Sequence, residues 1–332
     1  MPTANRYGKL YDDVFGLTNL LGEESLYINF GYWKDCPQTL DDACADLARK
    51  LGIEAQLGPG DVVIDVGCGY GDQDFLWAQE FRPERIVGVN LTRNQIEIAN
   101  ARAQRRRLAD NVSFMQGSAS RLPQPNGTAT KVTALESAFH FPSRLDFFTE
   151  AFRVLKPGGR LVLADMVPVA PREVTGPFRK IWPLGAAVRA VFNADRRHPI
   201  NVDTYPNLLC EAGFENATAY SIREHVYRPF ASFMRGRRND PDMRRINPVG
   251  RLFFGPTGMS VWMPWLDYVI ATADKPAHWR IPHDRKTKGT SLSPRIAAAS
   301  RHTTSPASSG LRANVLRSAT SIINRANAAP TQ

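Results

Sequence analysis

Residues 62–73 read Val-Val-Ile-Asp-Val-Gly-Cys-Gly-Tyr-Gly-Asp-Gln. Val62 to Val66 is an apolar, β-branched run interrupted only by Asp65, and it predicts a buried strand bounded by turn residues. Gly67, Gly69 and Gly71 let the backbone turn tightly and approach a ligand where a Cβ would clash. The spacing is acidic-x-Gly-x-Gly-x-Gly. The dinucleotide fingerprint places its third glycine one residue later, where Asp72 stands. An acid at position 65 repels a pyrophosphate and suits a ligand with a cationic amino group.

Strand and helix signals alternate outward from this stretch. Strands are predicted at Arg85–Asn90, Val112–Gln116, Lys131–Glu136 and Arg160–Asp165, and later at Asn216–His225 and Trp265–Thr272. Asp41–Leu51, Leu145–Leu155 and Asp203–Ala212 have helical periodicity, and Lys156-Pro157-Gly158-Gly159 reads as a turn. Repeated βα units imply a Rossmann-like α/β fold. Its seven-stranded sheet is mostly parallel, with helices on both faces. Residues 1–40 form an N-terminal lid and residues 41–275 the catalytic domain. Segments 172–200 and 227–263 are cap insertions, and 276–332 is a basic, disordered tail. Within that tail Gly310–Ala326 has the spacing of a short amphipathic helix.

The chain has 332 residues, 43% of them apolar, enough for a sizeable core. Cys36, Cys44, Cys68 and Cys210 show neither metal-ligand nor redox spacing, so no metal is expected and a reducing, cytoplasmic setting is. No signal peptide or membrane-spanning stretch is read. The net charge of +10 is uneven. From Lys275 onward ten Lys/Arg face one acid. Segment 172–198 has six bases and two acids, and 223–251 has eight bases and three acids. The rest is therefore acidic. Phe178, Ile181, Trp182, Val188 and Phe192 recur at helical spacing among basic residues. That stripe suits a lipophilic acceptor or an anionic membrane surface, and reads equally as core.

The glycine stretch resembles motif I of the class I S-adenosylmethionine (SAM)-dependent methyltransferases. The resemblance covers about residues 25–275. Val87-Gly88-Val89-Asn90-Leu91-Thr92, with Gln95, resembles the ribose-binding segment after the second strand, although relatives often have an acid where Asn90 stands. Asn90 also suits a helix cap. Gln116-Gly117-Ser118-Ala119 resembles the adenine loop. Asn29-Phe30-Gly31-Tyr32-Trp33 resembles the lid of the small-molecule branch, which acts on sterols, quinones and natural-product sugars. There Tyr32 or Trp33 shields the methyl donor, or packs the lid on the core. The resemblance implies SAM as cofactor, held by Tyr32, Asp65, Gly67, Gly69, Gly71, Gln73, Asn90, Leu91, Gln95, Ser118, Ala119 and Glu136.

Glu136-Ser137-Ala138-Phe139-His140-Phe141-Pro142 resembles an element of rebeccamycin-type sugar O-methyltransferases. It implies His140 as general base, oriented by Asp165 at the end of the fifth strand. A structural histidine and a turn-capping aspartate are the competing readings. The expected activity is methyl transfer to a hydroxyl or carboxyl oxygen of a lipophilic small molecule. Methylation of carbon in a quinone or sterol is the alternative. An RNA-binding methyltransferase is disfavoured because no Asn/Asp-Pro-Pro-Tyr motif follows the fourth strand. His198, His225, His278, His283 and His302 carry no expected role.

Overall fold

The computed structural model describes residues 21–22, 24–169, 198–241 and 246–279. The stripe at 178–192 and the tail from residue 280 onward lie outside the described residues.

Helix α1 (Leu40–Glu54) starts where Thr39 caps it, accepting from the Asp42 amide, with Asp41 and Asp42 beside its positive end. Strand β1 (Val62–Val66) leads through the glycine loop into α2 (Asp72–Glu80). Then come β2 (Arg85–Asn90), α3 (Arg93–Arg105), β3 (Val112–Gln116) and β4 (Ala129–Leu135). Helix α4 (Arg144–Val154) is capped by Ser143, and β5 (Leu155–Pro168) follows directly. Further on lie α5 (Tyr205–Glu211), β6 (Glu215–Ser221), α6 (Tyr227–Gly236), α7 (Pro248–Phe254), α8 (Pro256–Trp262) and β7 (Leu266–Asp274).

The sheet order is β3-β2-β1-β4-β5-β7-β6. Strands β1 to β5 are parallel, and β7 runs antiparallel to both β5 and β6. The expected seven-stranded, mostly parallel α/β sheet is therefore what forms. Helices lie on both faces because strand residues alternate between two cores. One core joins Val63, Val162 and Met166 to α1, α2, α3, α6 and α8. The other joins Ile64, Leu163 and Val167 to α4 and α5.

Several boundaries differ from the sequence reading; the strand expected over Asn216–His225 stops at Ser221, and Arg223–His225 turns into a 3-10 helix. The Lys156–Gly159 turn is a bulge inside β5: Ala129 pairs with Leu155 but Lys131 with Arg160. β5 also runs on to Pro168, so Asp165 is interior, paired with Val269. β4 stops at Leu135, and Glu136 leaves it in a left-handed conformation (φ 47°). At the far end Lys275 donates to the Phe152 and Leu155 carbonyls, closing α4's negative end. Trp279 packs edge-on against Phe152, so the chain clings to the domain beyond residue 275.

Candidate active site

The glycine loop sits at the carboxyl end of β1, where ligands of open α/β sheets bind. Gly67, Gly69 and Gly71 have φ of 87°, 56° and 83°. A Cβ on Gly67 would lie 2.2 Å from Ser137 Cβ, and one on Gly71 2.4 Å from the Phe114 ring. Gly69 differs: its nearest neighbour is Ile28 Cδ1 at 3.7 Å. Two glycines thus pack the loop against the protein, while the third leaves room in front of it. The Gly67 amide donates to the Val89 carbonyl at 2.7 Å, tying the loop to β2.

Asp65 is fully buried beneath this loop. Its oxygens accept from Thr133 Oγ1 (2.8 Å) and Gln73 Nε2 (2.9 Å). Burial pushes its carboxyl up to about 6, and the two donors hold it from rising further. Gln73 also donates to the Cys68 carbonyl. Asp65 and Gln73 therefore brace the loop from behind, with each Asp65 oxygen already accepting one donor. Asp72, in the first turn of α2, forms a two-pronged ion pair with Arg102, both arms at 2.6 Å.

The ends of β2 and β3 bring Asn90, Leu91, Gln95, Ser118 and Ala119 together. Asn90 pairs with Gln116, and the Gly117 amide donates to the Asn90 carbonyl. Asn90 Nδ2 donates to Gln95 Oε1 at 2.6 Å, and Asn90 Oδ1 accepts from the Leu91 amide. The helix cap falls to Thr92 instead. Gln95 Nε2 is buried without a partner. A buried donor left unpaired is costly, so it marks a place for a ligand acceptor. Leu91 is 42% exposed beside it, an apolar platform in the open. Ser118 Oγ accepts weakly from the Ser120 amide at 3.3 Å, and Ala119 is buried.

Tyr32 is not at the loop. Its ring stands edge-on to His225 and under Lys50. Trp33 is buried, its indole donating to the Phe30 carbonyl. Tyr27 and Ile28 come closer: Tyr27 donates to the Asp72 carbonyl, and Ile28 covers Gly69. Phe30 plugs an aromatic cluster with Tyr227, Phe230, Phe254 and Trp262. Phe30 belongs to the Asn-Phe-Gly-Tyr-Trp segment, and the sequence signal for Tyr27 and Ile28 was only their nearness to it.

Glu136 joins the N-terminal segment to the sheet. Its Oε1 accepts from the Phe30 amide (2.8 Å) and the Tyr268 hydroxyl (2.5 Å). Burial raises its carboxyl to about 8, against the pull of those two donors. His140 ends a short 3-10 turn, Ala138–His140, directly after this strand end. Its ring contacts Phe139, and the residue as a whole is exposed. Surrounding protein, and then the Arg144 cation, hold its imidazolium below the ordinary value. That exposure limits how far.

Asp165 and His140 do not form the direct pair that the sequence suggested. Alternation along β5 turns Asp165 to the α4–α5 side, together with Leu163 and Val167. There it is fully buried. It accepts from Arg144 Nε (2.7 Å), Tyr205 Oη (3.0 Å) and the Met166 amide (2.8 Å). Arg144 stands between the two predicted partners in the electrostatics of the site.

Among the described residues no group of three or more His, Cys, Asp or Glu side chains is placed to hold a metal. No described helix is long and apolar enough to cross a membrane. All four cysteines are free thiols.

A family model described as "Methyltransferase domain" matches residues 64–163. Erythromycin 3''-O-methyltransferase of Saccharopolyspora erythraea is 38% identical over 263 residues, 76% of this chain and 85% of that protein. 27-O-demethylrifamycin SV methyltransferase of Amycolatopsis mediterranei is 34% identical over 68% of this chain and 79% of its own length. A geranyl diphosphate C-methyltransferase from Streptomyces coelicolor A3(2), solved with S-adenosyl-L-homocysteine, superposes with a TM-score of 0.57. It is 21% identical, covering 72% of this chain and 78% of that one.

Proposed function

The chain belongs to the SAM-dependent methyltransferases of small molecules, and from that premise we propose that it methylates a hydroxyl oxygen of a lipophilic natural product, with His140 as general base. The site residues fit SAM. Three left-handed glycines form the cradle, Gln95 Nε2 is a buried donor lacking an acceptor, and Leu91 offers an exposed apolar surface. In our reading Gln95 and Asn90 meet the ribose, while Leu91, Ser118 and Ala119 line the adenine. Bound SAM supplies a methyl group already activated by its sulfonium.

The protein's remaining tasks are to align the acceptor and to take its proton. The observation that carries the base assignment is the state of His140. It is reachable from solvent, and its surroundings keep it uncharged at neutral pH. An uncharged imidazole accepts a proton; an imidazolium does not. In this reading Asp165 acts on His140 at one remove, by holding Arg144 in place. The Arg144 cation then disfavours the imidazolium, which keeps the ring ready to accept a proton and makes it a weaker base. The aromatic cluster around Phe30 and Trp262 supports an apolar acceptor, and the two named relatives both act on large natural products by their names.

Labelled SAM, the purified chain and a lipid-soluble extract of its source, followed by mass spectrometry of the product, test this. A methyl ether is expected; a methyl ester, whose carboxylate needs no base, or methyl on carbon overturns the reading. His140→Ala should lower turnover about 10²- to 10⁴-fold while SAM still binds. The acid limb of the wild-type rate profile should lie below pH ~6.5, the ordinary imidazole value. Full activity of His140→Ala across the pH range would remove His140 from the mechanism.

A further inference from the structure

Asp74 lies in the first turn of α2, just past Gly71. It is fully buried, and neither carboxyl oxygen has a hydrogen-bond partner. Ionising such a group in isolation costs several kcal/mol. Among the described residues, the groups packed around it offer no free cation. From β1 comes Asp65, itself buried and already bonded to Thr133 and Gln73. From the loop comes the Cys68 thiol, pushed up by burial and then by Asp74 and Asp65. Asp72 is beside it on α2, but its charge is taken by Arg102 of α3. Tyr27, from the N-terminal segment, donates to the Asp72 carbonyl. Burial first, and Asp65's charge next, raise the Asp74 carboxyl well above its ordinary value.

Two neighbouring buried acids with no cation between them cannot both ionise cheaply. A cation arriving above the glycine loop changes that balance. SAM carries a sulfonium; its demethylated product carries a thioether and one positive charge fewer. We propose that Asp74 and Asp65 form a charge-sensing pair beneath the glycine loop, which releases a proton to solvent when the sulfonium-bearing cofactor binds. The proton returns when the product takes its place. By linkage the pair then favours cofactor over product, and the preference grows as pH rises. Asp74 tunes the loop from behind and touches neither ligand.

The test is titration calorimetry of the full chain with SAM and with S-adenosylhomocysteine, in two buffers of different ionisation enthalpy. A pH of ~6.5 keeps the amino groups of both ligands protonated, since an α-amino group titrates near 8. SAM should release more protons than the product does. SAM affinity should climb by up to about tenfold per pH unit through the titration of the pair. Asp74→Asn should abolish the excess release and narrow the preference for SAM by about fivefold or more. The wild-type comparison needs no variant to fold. Equal proton release by the two ligands, or an excess that persists in Asp74→Asn, overturns the proposal.

Discussion

At the scale of single residues the glycine loop separates two roles that the sequence presents alike. Gly67 and Gly69 both have positive φ, but Gly67 is hemmed in by Ser137 at 2.2 Å and Gly69 by nothing nearer than 3.7 Å. Alanine at 67 must push Ser137 aside, and Ser137 is itself bonded to the Val66 carbonyl at 2.6 Å. Alanine at 69 meets only its own backbone strain. We expect Gly67→Ala to cost about 2–4 kcal/mol and Gly69→Ala about 1 kcal/mol, read from urea unfolding of the cofactor-free chain. SAM affinity should fall in both, for different reasons: a displaced loop in one and a methyl in the ligand's space in the other. Equal stability losses would mean that the loop gives way around Ser137.

At the scale of the strand, the sequence located β5 and missed its end. Asp165 stands at the last position where the apolar run breaks, so a reading from composition stops the strand there. The antiparallel ladder to β7 continues to Pro168 and buries Asp165 on the α4–α5 side. Pairing with a distant strand is a long-range fact that no local window holds. The glycine loop and its flanking strands were legible because each is a contiguous run. The pairing of Asp165 with Arg144 and Tyr205 was not, because its partners come from two helices. An ion pair this enclosed is strongly destabilising when halved. Arg144→Met should therefore lose about 3–5 kcal/mol in denaturant unfolding. The double variant Arg144→Met/Asp165→Leu should recover much of that, since no lone charge remains. No recovery would show that Arg144 matters mainly through its Met166 carbonyl contact or its packing.

Across the whole molecule, the N-terminal segment, the sheet and the helices before β7 meet at Glu136. The N-terminal segment gives the Phe30 amide, β7 gives the Tyr268 hydroxyl, and Phe30's ring sits among the aromatics of those helices. Sequence order places residues 30, 136 and 268 far apart, and the Asn-Phe-Gly-Tyr-Trp motif alone gives no hint that its Phe reaches a strand end. Glu136 leaves β4 with φ 47°, a strained position for a residue with a side chain, and that turn brings its carboxyl to the N-terminal segment. The energetic sign follows from its protonation. Burial raises the folded-state value to about 8, well above the 4.5 of an ordinary glutamate. The folded chain therefore binds a proton that the unfolded chain gives up between those values. This contribution to stability is complete below pH about 4.5 and is lost as pH rises through about 8. Glu54, Glu80 and Glu150 are depressed and act in the opposite sense, but only in the acid range where carboxylates ordinarily titrate. His140 also acts oppositely, adding stability as pH rises through the ordinary imidazole range and little above it. From pH about 7 to 8 the Glu136 contribution stands clear of these four, while the buried acids Asp65 and Asp74, also raised, act in its own sense. Thermal unfolding of the cofactor-free chain should show a falling Tm over that interval. Glu136→Gln keeps the acceptor oxygen for Phe30 and Tyr268 without the titration, and should make the fall shallower, leaving the part that belongs to Asp74. A Tm that declines as steeply in Glu136→Gln would move the titrating group away from this junction.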